Sequence, residues 1–331
     1  MKKFINDPDN LTPELLQGYC GAHPDKVKLV SEKIVMRATP KDESKVAVVT
    51  IGGAGHEPAL SGFVGDGMLD ASVVGDVFAA PGAPKVIEAF RMLKRDAGIL
   101  FVVLNHAGDV MSGNMAVEMA KEEGINVRMI LTHEDIAPGA DAPVEDRRGL
   151  GGCVAIYKAA GAAAEAGKSL DEVYAVAEKV SLNMATLAVA LTTATHPQSG
   201  DAIFELADDE MEIGMGQHGE AGTGSSKMLT ADETAVKMAA QVLPAANCVS
   251  GDKILLMING AGSTTLMELF IVFRKTKEYA ESQGMTVAHA LVGEYLTVQE
   301  MGGFQMFAAK LDDELVSLIK APSNAPFWVT Q

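Results

Sequence analysis

The chain has 331 residues, of which 48% are hydrophobic and 5% aromatic, and its formal net charge is −17. This length and composition predict a globular protein of one large or two medium domains and argue against disorder. The acidic charge argues against a nucleic-acid partner, which would select clustered Lys and Arg. Three widely spaced cysteines favour a reduced, cytoplasmic protein, and no apolar run reaches the roughly 18 residues of a membrane span.

Apolar runs alternate with glycine-bearing loops and helical patterns along the chain. Residues 46–51 lead into GGAGHEPAL, and residues 98–104 lead into the loop NHAGDVMSGN and then a helix through MAVEMAKEEG. Residues 125–131 follow as the next strand, and 253–258 lead into NGAGSTT and another helix. Unbroken apolar strands are typical of sheets covered on both faces, in which ligands bind at the carboxyl ends of strands.

Two stretches could separate domains. Residues 137–152 form a charged loop rich in Pro and Gly, and two alanine-rich helical patterns follow it. Another apolar run starts near Thr186 and opens a second sheet. We therefore predict an α/β protein with two α/β domains, 1–184 and 185–331, whose mostly parallel or mixed sheets are flanked by helices.

Two glycine-rich stretches approximate nucleotide-binding motifs without matching them. In GEAGTGSSK, Lys227 comes two places later than the Walker motif requires. In GGAGHEP, Pro58 occupies the third glycine position of the dinucleotide turn. Neither stretch therefore predicts a nucleotide site.

The histidine pattern argues against a metal site. The seven histidines show no H-x-x-x-H spacing and have no cysteine partner in sequence. The triplet His133-Glu134-Asp135 follows a strand, and we interpret it as a solvated loop. No metal ligand is predicted.

Three polar side chains remain in the glycine-rich stretches: His56, Asp109 and His218. A capping or surface role is an equal alternative for His56, and Asp109 could cap a helix, although Ser112 offers a competing N-cap. A neutral imidazole is nucleophilic, and glycine neighbours leave it accessible to a small electrophile. His and Asp also form a workable acid–base pair for activating a hydroxyl. The residues alone therefore predict a small polar substrate with acid–base or covalent histidine chemistry.

Four motifs in fixed order carry a family resemblance. GGAGHEPALSGFVGDGM, NHAGD, the DRRG of 146–149 and MEIGMGQHGEAG together resemble the dihydroxyacetone kinase K subunit, from MKKFIND to the terminal APFWV. The resemblance implies a substrate-binding, catalytic subunit, commonly a homodimer, in which His218 bonds covalently to a ketose carbonyl as a hemiaminal. It also implies that Asp109 is the base for the attacking hydroxyl, that His56 is the acid or hydrogen-bonding partner, and that Gly53 supplies a backbone contact.

The same resemblance implies partners in trans. The nucleotide, ADP or ATP, and its Mg²⁺ would lie on a separate L subunit, so this chain is expected to bind no cofactor of its own. In bacterial versions the phosphate often comes from the phosphoenolpyruvate phosphotransferase system through a third, M subunit.

Some positions depart from the family pattern. Ala80 stands where many relatives carry serine, and 104–107 read LNHA where relatives carry a lysine-asparagine-tyrosine-threonine run. These departures leave the ketose open, with erythrulose as an alternative. A non-enzymatic ketose sensor or coactivator that keeps His218 also stays open, although Asp109 and His56 favour an enzyme. A dehydrogenase is disfavoured by the missing third glycine.

Overall fold

The chain folds into two compact units, each with its own sheet. The computed structural model describes residues 2–139, 141–220, 222 and 224–331. Unit 1 comprises the chain up to Thr132 together with Cys153–Lys179 and Ser317–Gln331, and unit 2 comprises His133–Gly152 and Val180–Val316. Two helix-flanked mixed sheets confirm the predicted fold class. The boundary at residue 184 stays a prediction, because compactness does not measure independent folding.

Unit 1 is built on a mixed six-stranded sheet. Its strands are β1 (Val27–Ser31), β2 (Ile34–Arg37), β3 (Ala47–Ala54), β4 (Ala71–Val77), β5 (Ile99–Leu104) and β6 (Val127–Thr132). The spatial order is β1-β2-β4-β3-β5-β6, with β4, β3, β5 and β6 parallel and the pairings β1–β2 and β2–β4 antiparallel. All six side chains of β5 are buried, as expected for a strand covered on both faces.

Helices cover the sheet of unit 1. They are α1 (Leu11–Ala22), α2 (Ala83–Met92), α3 (Ala107–Glu122), α4 (Cys153–Glu165) and α5 (Leu170–Ser181), which ends just beyond the unit. Helix α4 is buried along nearly its whole length and packs on β3 and β5. Its small side chains allow this close approach, and the Tyr157 hydroxyl lies 2.9 Å from the Thr50 hydroxyl.

Unit 2 holds a second mixed sheet. Its strands are β7 (Met184–Thr192), β8 (Glu210–Ile213), β9 (Ser225–Lys227), β10 (Lys253–Gly260), β11 (Thr286–Gly293) and β12 (Gly302–Leu311). The order is β11-β10-β12-β7-β8-β9, and only the β10–β11 pairing is parallel among these strands. Helices α6 (Ala231–Ala245) and α7 (Leu266–Ser282) each begin with a Thr–Glu capping box, which satisfies their first backbone N–H groups.

The last segment returns to unit 1. It begins within α8 (Asp313–Lys320) and contains the hairpin β13 (Ser323–Ala325) and β14 (Trp328–Thr330). The Asn324 N–H donates to the Asp66 carbonyl at 2.9 Å, and the Lys158 ammonium donates to the Ala321 carbonyl at 2.6 Å. None of the helices in the described part of the chain combines the length and apolarity that a bilayer crossing requires.

Candidate functional site

Two of the predicted stretches lie at one edge of the sheet in unit 1. Strands β3 and β5 are parallel neighbours, so their carboxyl ends meet at the same edge. Gly53 and His56 belong to the end of β3 and the turn after it, and Asp109 follows β5. The sheet topology therefore brings these stretches to the edge where ligands of such sheets bind.

The turn after β3 is tightly packed. A Cβ atom at Gly53 would lie 2.7 Å from the Ala79 backbone nitrogen and 3.0 Å from the Asp76 carbonyl, so only glycine fits without moving backbone. The His56 side chain is buried, and its ring centroid lies 5.2 Å from that of Phe78. Packing against Phe78 thus restricts the orientation of the imidazole.

Asp109 lies in the first turn of α3. The predicted helix began after NHAGDVMSGN, but α3 begins at Ala107, with His106 as its N-cap residue. The Asp109 carboxylate is buried near the helix N-terminus, whose partial positive charge favours an anion. The N-cap alternative for Ser112 was wrong, because its hydroxyl lies within the helix and donates to the Pro81 carbonyl.

The departures from the family pattern lie next to the start of α3. A Cβ atom at Gly108 would lie 3.4 Å from the Ala80 side chain, in ordinary contact. His106 is half-buried and makes no side-chain capping bond. Ala80 therefore lies beside the first turn of the helix that carries Asp109.

Residues 214–220, here called the His218 loop, follow β8 in unit 2. Strand β8 pairs with β7, and the Gly214 N–H donates to the Ala188 carbonyl at 2.7 Å, which ties the start of the loop to the sheet. The His218 side chain is 27% exposed, so it is accessible to a small molecule. Ala221 and Thr223, farther along this glycine-rich stretch, lie outside the described residues.

Glu220 is a polar partner of His218. Its Oε2 accepts the His218 backbone N–H at 2.9 Å, and its Oε1 lies 3.3 Å from the His218 Nδ1. Burial disfavours the charged form of Glu220, but the hydrogen bonds from the side chain and backbone of His218 outweigh burial and lower the pKa of the carboxyl. Glu220 is therefore an anion that faces Nδ1.

Arg148 contacts the His218 loop and pairs with Asp135. The Arg148 Nε donates to Asp135 Oδ2 at 2.8 Å, and Nη2 forms an ion pair with the same oxygen at 2.7 Å. Nη2 donates to the Gly214 carbonyl at 2.9 Å. Burial raises the pKa of Asp135, and the Arg148 charge opposes that rise. The solvated-loop interpretation of this segment was wrong, because the Asp135 side chain is only 1% exposed.

The neighbouring Glu134 is also buried, and that part of the solvated-loop interpretation was wrong too. Its Oε1 accepts the backbone N–H groups of Leu150 and Gly152, both at 2.8 Å, whereas its Oε2 is buried and has no hydrogen-bond partner among the described residues. Burial raises the pKa of Glu134 to about 7, although these bonds oppose the rise. Glu134 therefore fixes the segment that carries Arg148.

The glycines of the His218 loop make room for the protein's own groups. A Cβ atom at Gly216 would lie 2.2 Å from both the Arg148 Nη1 and the Glu220 Oε2. Gly219 has a φ of +82°, and a Cβ atom there would lie 2.8 Å from the Ile203 carbonyl. The paucity of side chains thus has an internal cause: the loop closes directly over an ion pair.

The predicted site residues are divided between the units. Gly53, His56 and Asp109 belong to unit 1, and His218 belongs to unit 2. Sequence reasoning missed the supporting groups of the His218 loop, which are Glu134, Asp135, Arg148 and Glu220. The DRRG motif pointed to the segment that contains Arg148, but the motif alone does not identify the carboxylates with which it pairs.

Comparison with known proteins confirms the family resemblance. A family model described as the Dak1 domain matches residues 17–327. The dihydroxyacetone-binding subunit of a PTS-dependent dihydroxyacetone kinase from Listeria innocua is 38% identical over 99% of this chain and 100% of its own length. L-erythrulose kinase from Pectobacterium atrosepticum is 34% identical over 98% of this chain and 56% of its own length. A solved dihydroxyacetone kinase operon co-activator is 31% identical, with a TM-score of 0.91 over 96% of this chain and 98% of its own.

Proposed function

The chain belongs to the Dak1 domain family of dihydroxyacetone-binding subunits, and from that premise we propose that it is the substrate-binding, catalytic subunit of a short-ketose kinase. Dihydroxyacetone is the proposed substrate, in agreement with the name of the full-length Listeria relative. The observation that carries the proposal is the part-exposed His218 whose Nδ1 faces the Glu220 carboxylate at 3.3 Å.

His218 captures the ketone as a hemiaminal. Because a carboxylate faces Nδ1, that nitrogen holds the proton and Nε2 carries the lone pair. Nε2 forms a bond to the carbonyl carbon, and the carbonyl π electrons move to oxygen. The oxygen gains a proton while Nδ1 releases one, so the adduct is neutral and no water is lost. The negative charge of Glu220 stabilises the transient imidazolium. An alcohol such as glycerol has no carbonyl and is excluded.

Asp109 and His56 act in phosphoryl transfer. The terminal hydroxyl oxygen of the bound ketose attacks the γ-phosphorus of the nucleotide, its proton passes to Asp109, and the bond to the nucleoside diphosphate breaks with its electrons on the leaving oxygen. His56, restrained by Phe78, hydrogen-bonds the substrate, and the backbone at Gly53 contacts it. Covalent capture orients a substrate too small to offer much binding energy.

The remaining components act in trans. The nucleotide and its Mg²⁺ lie on an L subunit, and a phosphotransferase-system M subunit recharges the nucleotide. The word "PTS-dependent" and the term "dihydroxyacetone-binding subunit" in the name of the Listeria relative support this division of labour. The chain itself binds no cofactor, works in the cytoplasm and forms a homodimer.

Two alternatives have specific support. The solved co-activator, with its TM-score of 0.91, favours a ketose sensor that keeps His218. The L-erythrulose kinase favours a four-carbon ketose, and Ala80, which is smaller than the serine of many relatives, leaves room at the start of α3. Asp109 and His56 favour an enzyme over a sensor, because a sensor needs no base.

A carbon NMR experiment tests the covalent capture. Dihydroxyacetone labelled at its ketone carbon is added to the wild-type protein, to His218→Ala and to His289→Ala, a control in β11 of the same unit. A tetrahedral-carbon signal in the wild type and the control, absent from His218→Ala, supports the proposal. A signal that persists in His218→Ala overturns the role of His218, and no signal with either dihydroxyacetone or erythrulose overturns covalent capture.

Phosphorus NMR then separates the kinase from the sensor. The protein is mixed with ketose and with an ATP-loaded L subunit of a related kinase. Formation of a ketose phosphate supports the enzyme. Adduct formation without phosphorylation, under conditions in which the L subunit serves its own partner, supports the sensor.

A further inference from the structure

The two arginines of the DRRG motif have different partners. Arg147 donates from Nε and Nη2 to the Ala142 carbonyl, at 3.1 and 2.9 Å, within its own loop. Arg148 instead reaches Asp135 and the His218 loop. Adjacent residues of the same type thus provide a test position and a matched control.

Asp135 fixes the Arg148 guanidinium to the sheet of unit 2. The Ile136 N–H donates to the Thr186 carbonyl at 3.0 Å, and the Thr186 N–H donates to the Glu134 carbonyl at 2.8 Å, so the Asp135 segment lies along β7. Asp135 Oδ1 accepts the Ala137 N–H at 2.9 Å, which leaves Oδ2 for Arg148. The carboxylate is therefore held on both oxygens.

The other side of the guanidinium faces the His218 loop. Nη2 donates to the Gly214 carbonyl at 2.9 Å, and Nη1 lies 3.4 Å from the Glu220 carbonyl and 3.8 Å from its Oε2. The absence of a side chain at Gly216 allows the loop to close against both groups. Arg148 thus contacts the beginning and the end of the loop that carries His218.

We propose that Arg148, held by Asp135, is a positioning residue that orients Glu220 so that Glu220 fixes the proton of His218 on Nδ1. Arg148 does not touch the substrate in this role. Without it, Glu220 loses its cationic neighbour and the loop loses the bond at Gly214, so the imidazole turns and both tautomers become populated. The fraction of His218 with an unprotonated Nε2 then falls, and capture of the carbonyl slows.

This inference rests on the proposed function only for its effect on capture, because the tautomer is measurable without any ketose. Nitrogen NMR of ¹⁵N-histidine-labelled protein distinguishes protonated from unprotonated ring nitrogens, and the His218 signals are those missing in His218→Ala. We expect the Nδ1–H form alone in the wild type and in Arg147→Met. We expect a mixture with the Nε2–H form in Arg148→Met and in Asp135→Asn.

Capture kinetics supply the second measurement. We expect the rate constant for adduct formation to fall about 10- to 100-fold in Arg148→Met, as misorientation of a reacting group does. The rate of phosphorylation once the adduct is saturated should change little, so the effect appears in KM and not in kcat. Arg148→Lys keeps the charge but loses the two-sided hydrogen bonding, and it should restore capture in part.

The outcomes separate the two proposals. An unchanged tautomer together with an unchanged capture rate in Arg148→Met overturns the positioning role. A fall of the same size in Arg147→Met also overturns it, since a general loop defect would then be the cause. If Arg148→Met does not fold, Arg148→Lys and Asp135→Asn decide by the same readouts. If the wild type forms no adduct, the proposed function fails, while the tautomer still decides the role of Arg148.

Discussion

The predicted site residues of unit 1 and the His218 loop of unit 2 are held by different kinds of interaction. Gly53 and Asp109 are positioned by backbone: parallel strands end side by side, and a helix begins directly after one of them. His218 is positioned by charged side chains: Glu220 of its own loop contacts the imidazole, and Arg148 and Asp135 from a distant part of the chain support Glu220. The sheet topology alone brings Gly53 and Asp109 to one edge of the sheet. The position of His218 depends instead on every ion pair in the series Asp135–Arg148–Glu220.

This difference has an energetic side. A buried ion pair adds little net stability, but removing one partner leaves an uncompensated charge and costs about 3–5 kcal/mol. The His218 loop is therefore sensitive to single changes at Asp135 or Arg148. The backbone-held loops of unit 1 are sensitive mainly to added volume.

Removing the proposed base, Asp109, gives the largest expected effect on turnover. It also separates phosphoryl transfer, which uses Asp109 of unit 1, from adduct formation on His218 of unit 2. Asp109→Asn should lower turnover about 10²- to 10⁴-fold, because proton removal from the attacking hydroxyl is lost. Adduct formation on His218 should be unchanged, since unit 2 is intact. Phosphorus and carbon NMR measure the two steps, with the exposed Glu122→Gln of the same helix as control. Normal turnover of Asp109→Asn would refute its role.

The buried Glu134 predicts a pH-dependent loss of stability in unit 2. Burial raises the pKa of Glu134 to about 7. Between pH 4.5 and 7 the folded protein therefore holds a proton that the unfolded chain has released. The free energy of unfolding falls as the pH rises through this window. Glu134→Gln lacks this penalty and should be about 3 kcal/mol more stable than the wild type at pH 8, but similar near pH 4.5. Hydrogen exchange of the β7 amides measures the difference, and pH curves that run parallel would contradict the expectation.

Alanine at two glycines sharpens the contrast between backbone and side-chain support. A Cβ atom at Gly53 meets fixed backbone, so Gly53→Ala should destabilise unit 1 by about 1–3 kcal/mol. A Cβ atom at Gly216 meets the movable ends of Arg148 and Glu220, so Gly216→Ala should cost less stability but slow adduct formation. Urea denaturation and capture rates measure the pair. The reverse pattern would show that the two loops are not supported in these different ways.

The smallest expected effect concerns Lys158, the basic counterpart of Glu134. Burial lowers its pKa to about 8, so above pH 8 the unfolded chain holds more protons than the folded one and wild-type stability rises with pH. Between pH 7.5 and 9.0 the wild type should gain about 1 kcal/mol relative to Lys158→Met. The only tryptophan, Trp328, lies in unit 1 and reports its unfolding by fluorescence. An equal pH response in both proteins would rule out the lowered pKa of Lys158.

The sequence predicted the layered fold well, because it is recorded in local patterns. The six buried apolar residues of β5 form one run in the sequence, and the second sheet opens at Met184, close to the expected position. The start of α3 was missed because Gly108 and Gly113 made NHAGDVMSGN resemble a loop. Glycine disfavours helix intrinsically, but burial of Gly113 against Phe101 and Met129 outweighs that preference.

The supporting groups of the His218 loop could not be predicted from one sequence. Asp135 and Arg148 are 13 residues apart, and Arg148 and Glu220 are 72 apart. Each carries a charge of the kind that usually faces solvent, and nothing in its immediate neighbours signals burial. Only the folded chain brings these residues together.

The segmented composition of unit 1 has a consequence for synthesis on the ribosome. Its final segment, Ser317–Gln331, supplies the hairpin whose Asn324 N–H bonds the Asp66 carbonyl and the Ala321 carbonyl that accepts the Lys158 ammonium. Every residue of unit 2 is translated before that segment emerges. Vectorial synthesis therefore completes the residues of unit 2 first. Unit 1 begins earlier in the chain, but it acquires its last native contacts only after all of unit 2 has been translated.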